Sequence, residues 1–451
     1  MKTKIGLEIH LELKTKSKMF CSCKNDYNQE DDANTNICPI CLGYPGTLPS
    51  VNRKAIEYAI MLSQALNCNI NSSIQFYRKN YYYPDLPKGY QISQYKLGSV
   101  GYNGYLYTEL YGGKKIAIDR VSLEEDTARS IQMENEVLLD FNRAGIPLIE
   151  IVTKPDMESS KEAVKFLENL RLTVQYLKIS DANMEKGHMR VDINVSVENN
   201  ERVEIKNVNS IREVENALEY EINYQIEEIK KGRRIKRTTK MWDDYLKITR
   251  EMRRKESEED YRYFPEPDIP SIDISEYRFL VKTPFDVYNE LISLNVNREY
   301  AEIIVRDMRL CNYFYEFLEN SGDAVVGSNL LVNILKSFDT LPSVREFAKL
   351  SFFMKENKIP PHIARQKLLE MKENLNVDEI LKNIEVISES EIENIVKSLI
   401  ERYPEKFFEY KSGKQGLIGF FIGEAKKINS KIDPKAFREV FEKISQNINL
   451  L

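Results

Sequence analysis

Apolar and polar residues alternate in KIGLEIHLEL (residues 4–13), which predicts a strand with one buried and one polar face. Similar alternating or β-branched runs follow in SVGYNGYLYTEL (99–110), KIAIDRVSLEED (115–126) and PLIEIVTK (147–154). HMRVDINVSV and RVEIKNV, joined by ENNE, read as a hairpin over 188–208. Helical periodicity interrupts these strands. Ile56, Ala59, Ser63 and Leu66 share one face over 51–66, and Asp156 or Ser159 is placed to cap a helix over 161–178. Val214, Leu218, Ile222, Ile226 and Ile229 form an apolar stripe over 212–230. Strands and helices without a βαβ rhythm predict an α+β fold with a largely antiparallel sheet. Beyond about residue 270 the pattern changes to short helices punctuated by Pro and Gly, and the chain ends in a helix, a basic turn and another helix. We expect a catalytic unit over 1–290, a helical domain over 291–400 and a tail domain over 401–451.

Hydrophobic content of 42% and a net charge of −5 fit packed domains and exclude a basic nucleic-acid coat, so any RNA contact is local. Two segments carry such local charge. Residues 231–255 hold eleven Lys/Arg against three acids, with Trp242 and Tyr245 among them; this suits RNA, a solvated loop or a partner surface equally. Residues 405–451 hold nine Lys/Arg against six acids. No run approaches the ~20 apolar residues of a spanning helix. The opening residues lack a signal peptide's apolar core and cleavage site, so we expect the cytoplasm and no membrane contact.

Six cysteines in a chain of 451 residues are too few for a disulfide framework. Cys21, Cys23, Cys38 and Cys41 instead form two close pairs separated by fourteen residues, the spacing of a closed, structural zinc site. Cys68 and Cys311 are isolated and read as buried thiols.

Glu8 and His10 are two apart in a strand and so share a face, as do Asp192 and Asn194. LEED at 123–126 supplies Glu124, Glu125 and Asp126, and Glu150 interrupts the apolar run PLIEIVT. A carboxylate among Leu148, Ile149, Ile151 and Val152 is costly to bury unless paired or metal-bound. Carboxylates with one imidazole make a hard donor set suited to Mg²⁺. Lys79, Lys88, Arg190 and Lys206 lie in the neighbouring motifs, and phosphoryl transfer needs this mixture of charges. No Walker A or dinucleotide fingerprint occurs; GSVGYNG at 98–104 has the wrong spacing and reads as a hairpin.

Several long strings carry a resemblance: GLEIHLEL (6–13), KNYYYPDLPKGYQISQY (79–95), FNRAGIPLIEIVTKPD (141–156), RVDINVSV (190–197), VEIKNVNS (203–210) and RRKESEEDYRYFPEPDIP (253–270). With KSGKQGLIGFFIGEAKKINSKIDP near the end, they resemble the B-subunit (GatB) family of tRNA-dependent amidotransferases. The resemblance implies a cradle domain similar to glutamine synthetase and guanido kinases, a helical domain and a YqeY-like tail that contacts tRNA. It implies that ATP phosphorylates the side-chain carboxylate of Glu-tRNA(Gln) or Asp-tRNA(Asn). Ammonia from a glutaminase A subunit then displaces the phosphate, with a C subunit wrapping both partners. It places Glu8, His10, Glu125, Glu150 and Asp192 around magnesium, with Glu124 as a further ligand. Lys79 and Lys88 are implied near phosphate or the mouth of an ammonia channel, and Arg190 and Lys206 near the nucleotide. One departure stands out: where the family usually shows HLEEDAGK, this chain reads SLEEDTAR, with Ser122 and Arg129 at the His and Lys positions. A non-catalytic zinc-containing tRNA adaptor and an ATP-dependent amide ligase for a small carboxylate are the alternatives.

Overall fold

The first strand, Thr3–Glu12, buries Ile5, Leu7, Ile9 and Leu11 and turns Glu8, His10 and Glu12 to the opposite face. This is the alternation of the sequence realised in three dimensions. The computed structural model describes residues 1–27, 31–252, 261–383, 389–429 and 432–447. They divide into two compact units, Met1–Glu290 and Leu291–Leu451.

The first unit is built on a nine-stranded sheet. Its order is Ile248–Glu251, Thr238–Asp243, Val203–Val208, Met189–Val197, Thr3–Glu12, Pro147–Thr153, Gly112–Glu125, Gly101–Glu109 and Asn69–Ile70. All neighbours pair antiparallel except Val203–Val208 with Thr238–Asp243, so the sheet is largely antiparallel as expected. Helices Arg53–Ala65, Ser160–Tyr176 and Ile211–Lys230 bury the apolar face, where Ile9, Ile151 and Ile193 share a core with Ile60, Phe166 and Leu218. Asn52, Ser159 and Ser210 cap the three helices, each accepting from first-turn amides. Removing such a cap costs about 1 kcal/mol. A three-stranded sheet of Phe264–Pro265, Phe76–Asn80 and Tyr90–Gln94 meets the Gly112–Glu125 strand, with Gln94 Oε1 accepting from the Leu123 amide at 2.8 Å.

Two details depart from the sequence reading. In helix Ile211–Lys230 the apolar stripe holds at Val214 and Leu218, but the side chains buried beyond it are Glu221, Gln225 and Glu228, with Ile222 half-buried. The reason is a buried partner: the Lys240 ammonium reaches both Glu221 oxygens, at 3.1 and 3.0 Å, and Thr249 donates to the same carboxylate at 2.7 Å. GSVGYNG is not a hairpin. A 3₁₀ turn, Lys96–Gly98, leads into strand Gly101–Glu109, and the hairpin closes later, where Glu109 pairs with Gly112. The glycines serve close approach: a Cβ on Gly104 would sit 2.3 Å from Cys68 Sγ, and one on Gly101 would sit 2.6 Å from Ser63 Oγ.

The second unit is helical among the described residues. Asn297, Asp307 and Asp323 cap helices Arg298–Arg306, Met308–Glu319 and Ala324–Asn333. Helices Ile418–Ile428 and Pro434–Asn447 pack with Glu389–Arg402 through Val396, Phe421, Phe437 and Phe441. Residues 430 and 431 of the anticipated turn lie outside the described residues. Among the described residues, no helix is long and apolar enough to cross a membrane.

Candidate active site

Strand register assembles the polar face. His10 lies opposite Glu150 on one side and Arg190 on the other, while Glu8 lies opposite Asp192. Glu150 in turn faces Ser122, which puts Arg120, Ser122 and Glu124 on the same face. One donor atom each from Glu8, His10 and Glu150 lies within 4.8 Å of the others. Glu124 joins them, with an oxygen 3.2 Å from His10 Nε2, and it also accepts from Ser93 Oγ at 3.2 Å.

The charges respond to this crowding. Burial alone would lower the His10 imidazole, but its hydrogen bond to Glu124 and the nearby Glu8 and Glu150 hold it up at about 9. Glu150 goes the other way: burial and the Glu8 charge push its carboxyl up to about 7. Burial also raises Glu8 and Glu124, yet the cations around them, His10 foremost, keep both below the usual range. Carboxylates that repel one another in a half-buried site fit a divalent cation, and the oxygen-rich set with one imidazole suits Mg²⁺.

Cations ring the acids. Lys79 extends among tyrosines, its Nζ 4.8 Å from the Tyr261 ring and 5.7 Å from that of Tyr81. Burial opposes its charge, but Tyr263, Glu124 and the neighbouring phenols raise it overall. Asp192 pairs with Lys206, which also reaches Glu204 at 3.0 Å. Arg120 approaches Glu150 at 3.4 Å.

Glu125 is not brought into this group. One position along from Glu124, it points through the opposite face, where it accepts from Lys88 and, at 2.9 Å, from the Ile92 amide. Consecutive strand residues cannot share a face, so only one of the two glutamates can join His10. Lys88 and Glu125 line a pocket with Phe20, Cys41, Tyr44 and Tyr90.

The four clustered cysteines converge as expected, with all four sulfurs within 4.8 Å of one another. Their loop docks on the segment before Pro147–Thr153. The Asn36 amide donates to Asn142 Oδ1 at 2.7 Å, and Asn34 Oδ1 accepts from the Phe141 amide at 2.7 Å. Lys18, fully buried, donates to Asn36 O at 2.9 Å and lies 4.0 Å from Cys41 Sγ. The hydrogen bond with Cys21 takes the Cys41 thiol down to about 5, while burial pushes Cys23 up to about 11. Four thiols with no open position suit structural zinc.

Two family models match the chain: the GatB/GatE catalytic domain over residues 3–279 and the GatB domain over residues 333–444. The chain belongs to the GatB/GatE family. It is 42% identical to the B subunit of the aspartyl/glutamyl-tRNA(Asn/Gln) amidotransferase of Thermosipho melanesiensis, over 98% of either chain. It is 39% identical to the corresponding protein of Caldicellulosiruptor bescii, over 98% of this chain and 99% of the relative. To that of Fusobacterium nucleatum it is 37% identical, over 98% of each.

Within this GatB/GatE chain the Ser122 departure has a clear setting. Ser122 is fully buried, its hydroxyl 3.0 Å from that of Ser99, directly beside Glu150. A small neutral group therefore stands there, and the nearby positive charge comes from Arg120. Arg129 lies away from the sheet in the Arg129–Gln132 hairpin strand.

The basic segment 231–255 is also redefined. Trp242 is 3% exposed in the core, edge-on to Tyr220, and is not available to stack on a base; Tyr245 is 93% exposed. Lys240 is committed to Glu221, and residues 253–255 lie outside the described residues.

Sequence reasoning gave no role to Glu12, Asp126 and Arg143. Glu12 continues the two-residue step of Glu8 and His10, and Asp126 continues that from Glu124, so alternation alone would have placed both. Arg143, in a turn, carries no such signal.

Proposed function

We propose that the chain is the B subunit of an aspartyl/glutamyl-tRNA(Asn/Gln) amidotransferase and that the polar face around His10 activates a side-chain carboxylate with ATP. The observation that carries this reading is the convergence of Glu8, His10, Glu124 and Glu150 from three adjacent strands, with Lys79 and Arg190 beside them. A carboxylate is a poor acylating agent. Transfer of the γ-phosphoryl of ATP to it turns an oxide leaving group into phosphate. Ammonia then attacks the acyl carbon, and phosphate departs with one carboxylate oxygen.

Glu8, His10, Glu124 and Glu150, with Asp192 beside them, would hold magnesium, which neutralises the phosphate charge when bound. Lys79 would contact the transferring phosphoryl from its tyrosine surround, and Arg190 and Lys206 would offset charge at the nucleotide. Glu125 and Lys88, on the other face, are assigned to the ammonia route from a glutaminase A subunit, with a C subunit completing the assembly. The four cysteines would hold zinc as a brace for the segment before Glu150. The basic tail would meet the tRNA phosphates. The cytoplasm, where translation substrates reside, is the compartment this reading calls for.

The test is amidation by the reconstituted three-subunit complex with ATP, Mg²⁺ and Glu-tRNA(Gln) or Asp-tRNA(Asn), using either glutamine or ammonium chloride. Glu150→Gln should abolish amidation from both nitrogen sources. Wild-type rates in that variant would overturn the assignment, and amidation of free glutamate would favour a small-substrate ligase.

A further inference from the structure

Beside the His10 site, on the same face, two arginines converge on one buried carboxylate. Asp126 is 6% exposed, and its Oδ2 accepts from Arg190 Nη2 at 2.8 Å and lies 3.4 Å from Arg143 Nε. Its Oδ1 accepts from the Thr127 amide at 2.9 Å, so the carboxylate cannot swing away. Arg143 is anchored as well, its Nε donating to the Thr127 carbonyl at 3.1 Å. Arg190 has no such second tie among the described contacts. Its side chain is 38% exposed, and it stands opposite His10 in the register.

A guanidinium presents its donors as a planar fork. With one nitrogen fixed by Asp126, the rest of the Arg190 fork is aimed in one direction and open. Glu12, the next residue on this face after His10, lies among the same charges. A surface ion pair would need no second arginine to lock its acceptor; this arrangement holds one guanidinium at fixed orientation next to the cation-binding acids.

We infer that Asp126 and Arg143 are positioning residues that hold the Arg190 fork as an oxyanion-binding group for the reaction. The inference rests on the function proposed above, which brings two oxyanions to this face: the side-chain carboxylate of the aminoacyl-tRNA and the phosphates of ATP. The shared chemistry is a bidentate contact from Arg190, and the experiment separates the sources.

The three-subunit complex is assayed with ammonium chloride as nitrogen source, for wild type, Asp126→Asn, Arg190→Lys, Arg143→Lys and the double variant Asp126→Asn/Arg190→Lys. KM and kcat are measured against aminoacyl-tRNA and against ATP, and thermal unfolding is followed in parallel. Loss of one charge-assisted hydrogen bond should raise one KM by roughly tenfold or more. A rise for aminoacyl-tRNA assigns the fork to the carboxylate, and a rise for ATP assigns it to phosphate. The double variant should be no worse than Arg190→Lys, because Asp126 acts through the arginine. Arg143→Lys, which keeps the charge and the fold, should show the same effect in weaker form. Unchanged KM values in folded variants, or multiplied effects in the double variant, would overturn the inference. If the wild-type complex makes no amide, the parent reading fails. Equilibrium dialysis with ATP and with aminoacyl-tRNA then decides the role of the arginine alone, and unchanged affinity for both in Arg190→Lys overturns it.

Discussion

Glu124 and Glu125 stand back to back: the carboxylate of Glu124 meets His10 at 3.2 Å on one face of the sheet, and that of Glu125 meets the Ile92 amide at 2.9 Å on the other. Two adjacent acids therefore face opposite sides of the sheet. The division gives a direct prediction. Glu124→Gln should lower amidation by about 10²–10³-fold with glutamine and with ammonium chloride alike, as expected for loss of a charge at the reacting centre. Glu125→Gln should impair glutamine-driven amidation more than ammonium-driven amidation. The ratio of the two rates in each variant checks the assignment, and equal losses from both nitrogen sources in both variants would contradict it.

The face of the sheet was legible because alternation is a local property. Glu8, His10, Asp192 and Glu150 sit in strands whose apolar partners fix which way they point. The cysteine pairing was legible for a similar reason, since short spacings constrain geometry. What failed was anything set by long-range partners. Glu125 is the exception: alternation sets it with Leu123, opposite Glu124, and only the resemblance grouped it with the magnesium ligands. Nothing local shows that Trp242, among basic residues, packs in the core, where Lys240 of the same strand pairs with Glu221 of the helix.

Cys38→Ser should release the metal from the cysteine cluster and loosen the 139–146 segment, because Asn34 and Asn36 of the same loop tie it down. Zinc content by elemental analysis, with hydrogen exchange of that segment, checks this. Stoichiometric zinc in wild type, loss in the variant and faster exchange at 139–146 are expected. Unchanged exchange would mean that the knuckle braces nothing there.

Trp242 is the single tryptophan of the chain and is 3% exposed. Its fluorescence should be blue-shifted and poorly quenched by acrylamide, and addition of tRNA should leave that accessibility unchanged. Trp242→Ala should destabilise the first unit by about 3–5 kcal/mol, whereas Tyr245→Ala should leave stability within about 0.5 kcal/mol. Chemical denaturation of the two variants compares them.

Burial pushes the Cys68 thiol up to about 12. A raised thiol stays protonated as pH rises, so at pH 8.5 its thiolate fraction lies far below that of an exposed cysteine. Iodoacetamide should therefore label Cys68 slowly in the native protein and quickly after unfolding, by peptide mass spectrometry. Gly104→Ala, whose Cβ would sit 2.3 Å from that sulfur, should cost about 1–3 kcal/mol through overpacking.

The central claim is that this face transfers phosphate to a carboxylate before the amide forms, and oxygen tracing tests it most directly. Glu-tRNA(Gln) or Asp-tRNA(Asn) carrying ¹⁸O in the side-chain carboxylate is turned over by the full complex with ATP and ammonium chloride, and the released phosphate is analysed by mass spectrometry. The account predicts that each phosphate formed with an amide carries one carboxylate oxygen. Amide formation accompanied by phosphate free of ¹⁸O would contradict it.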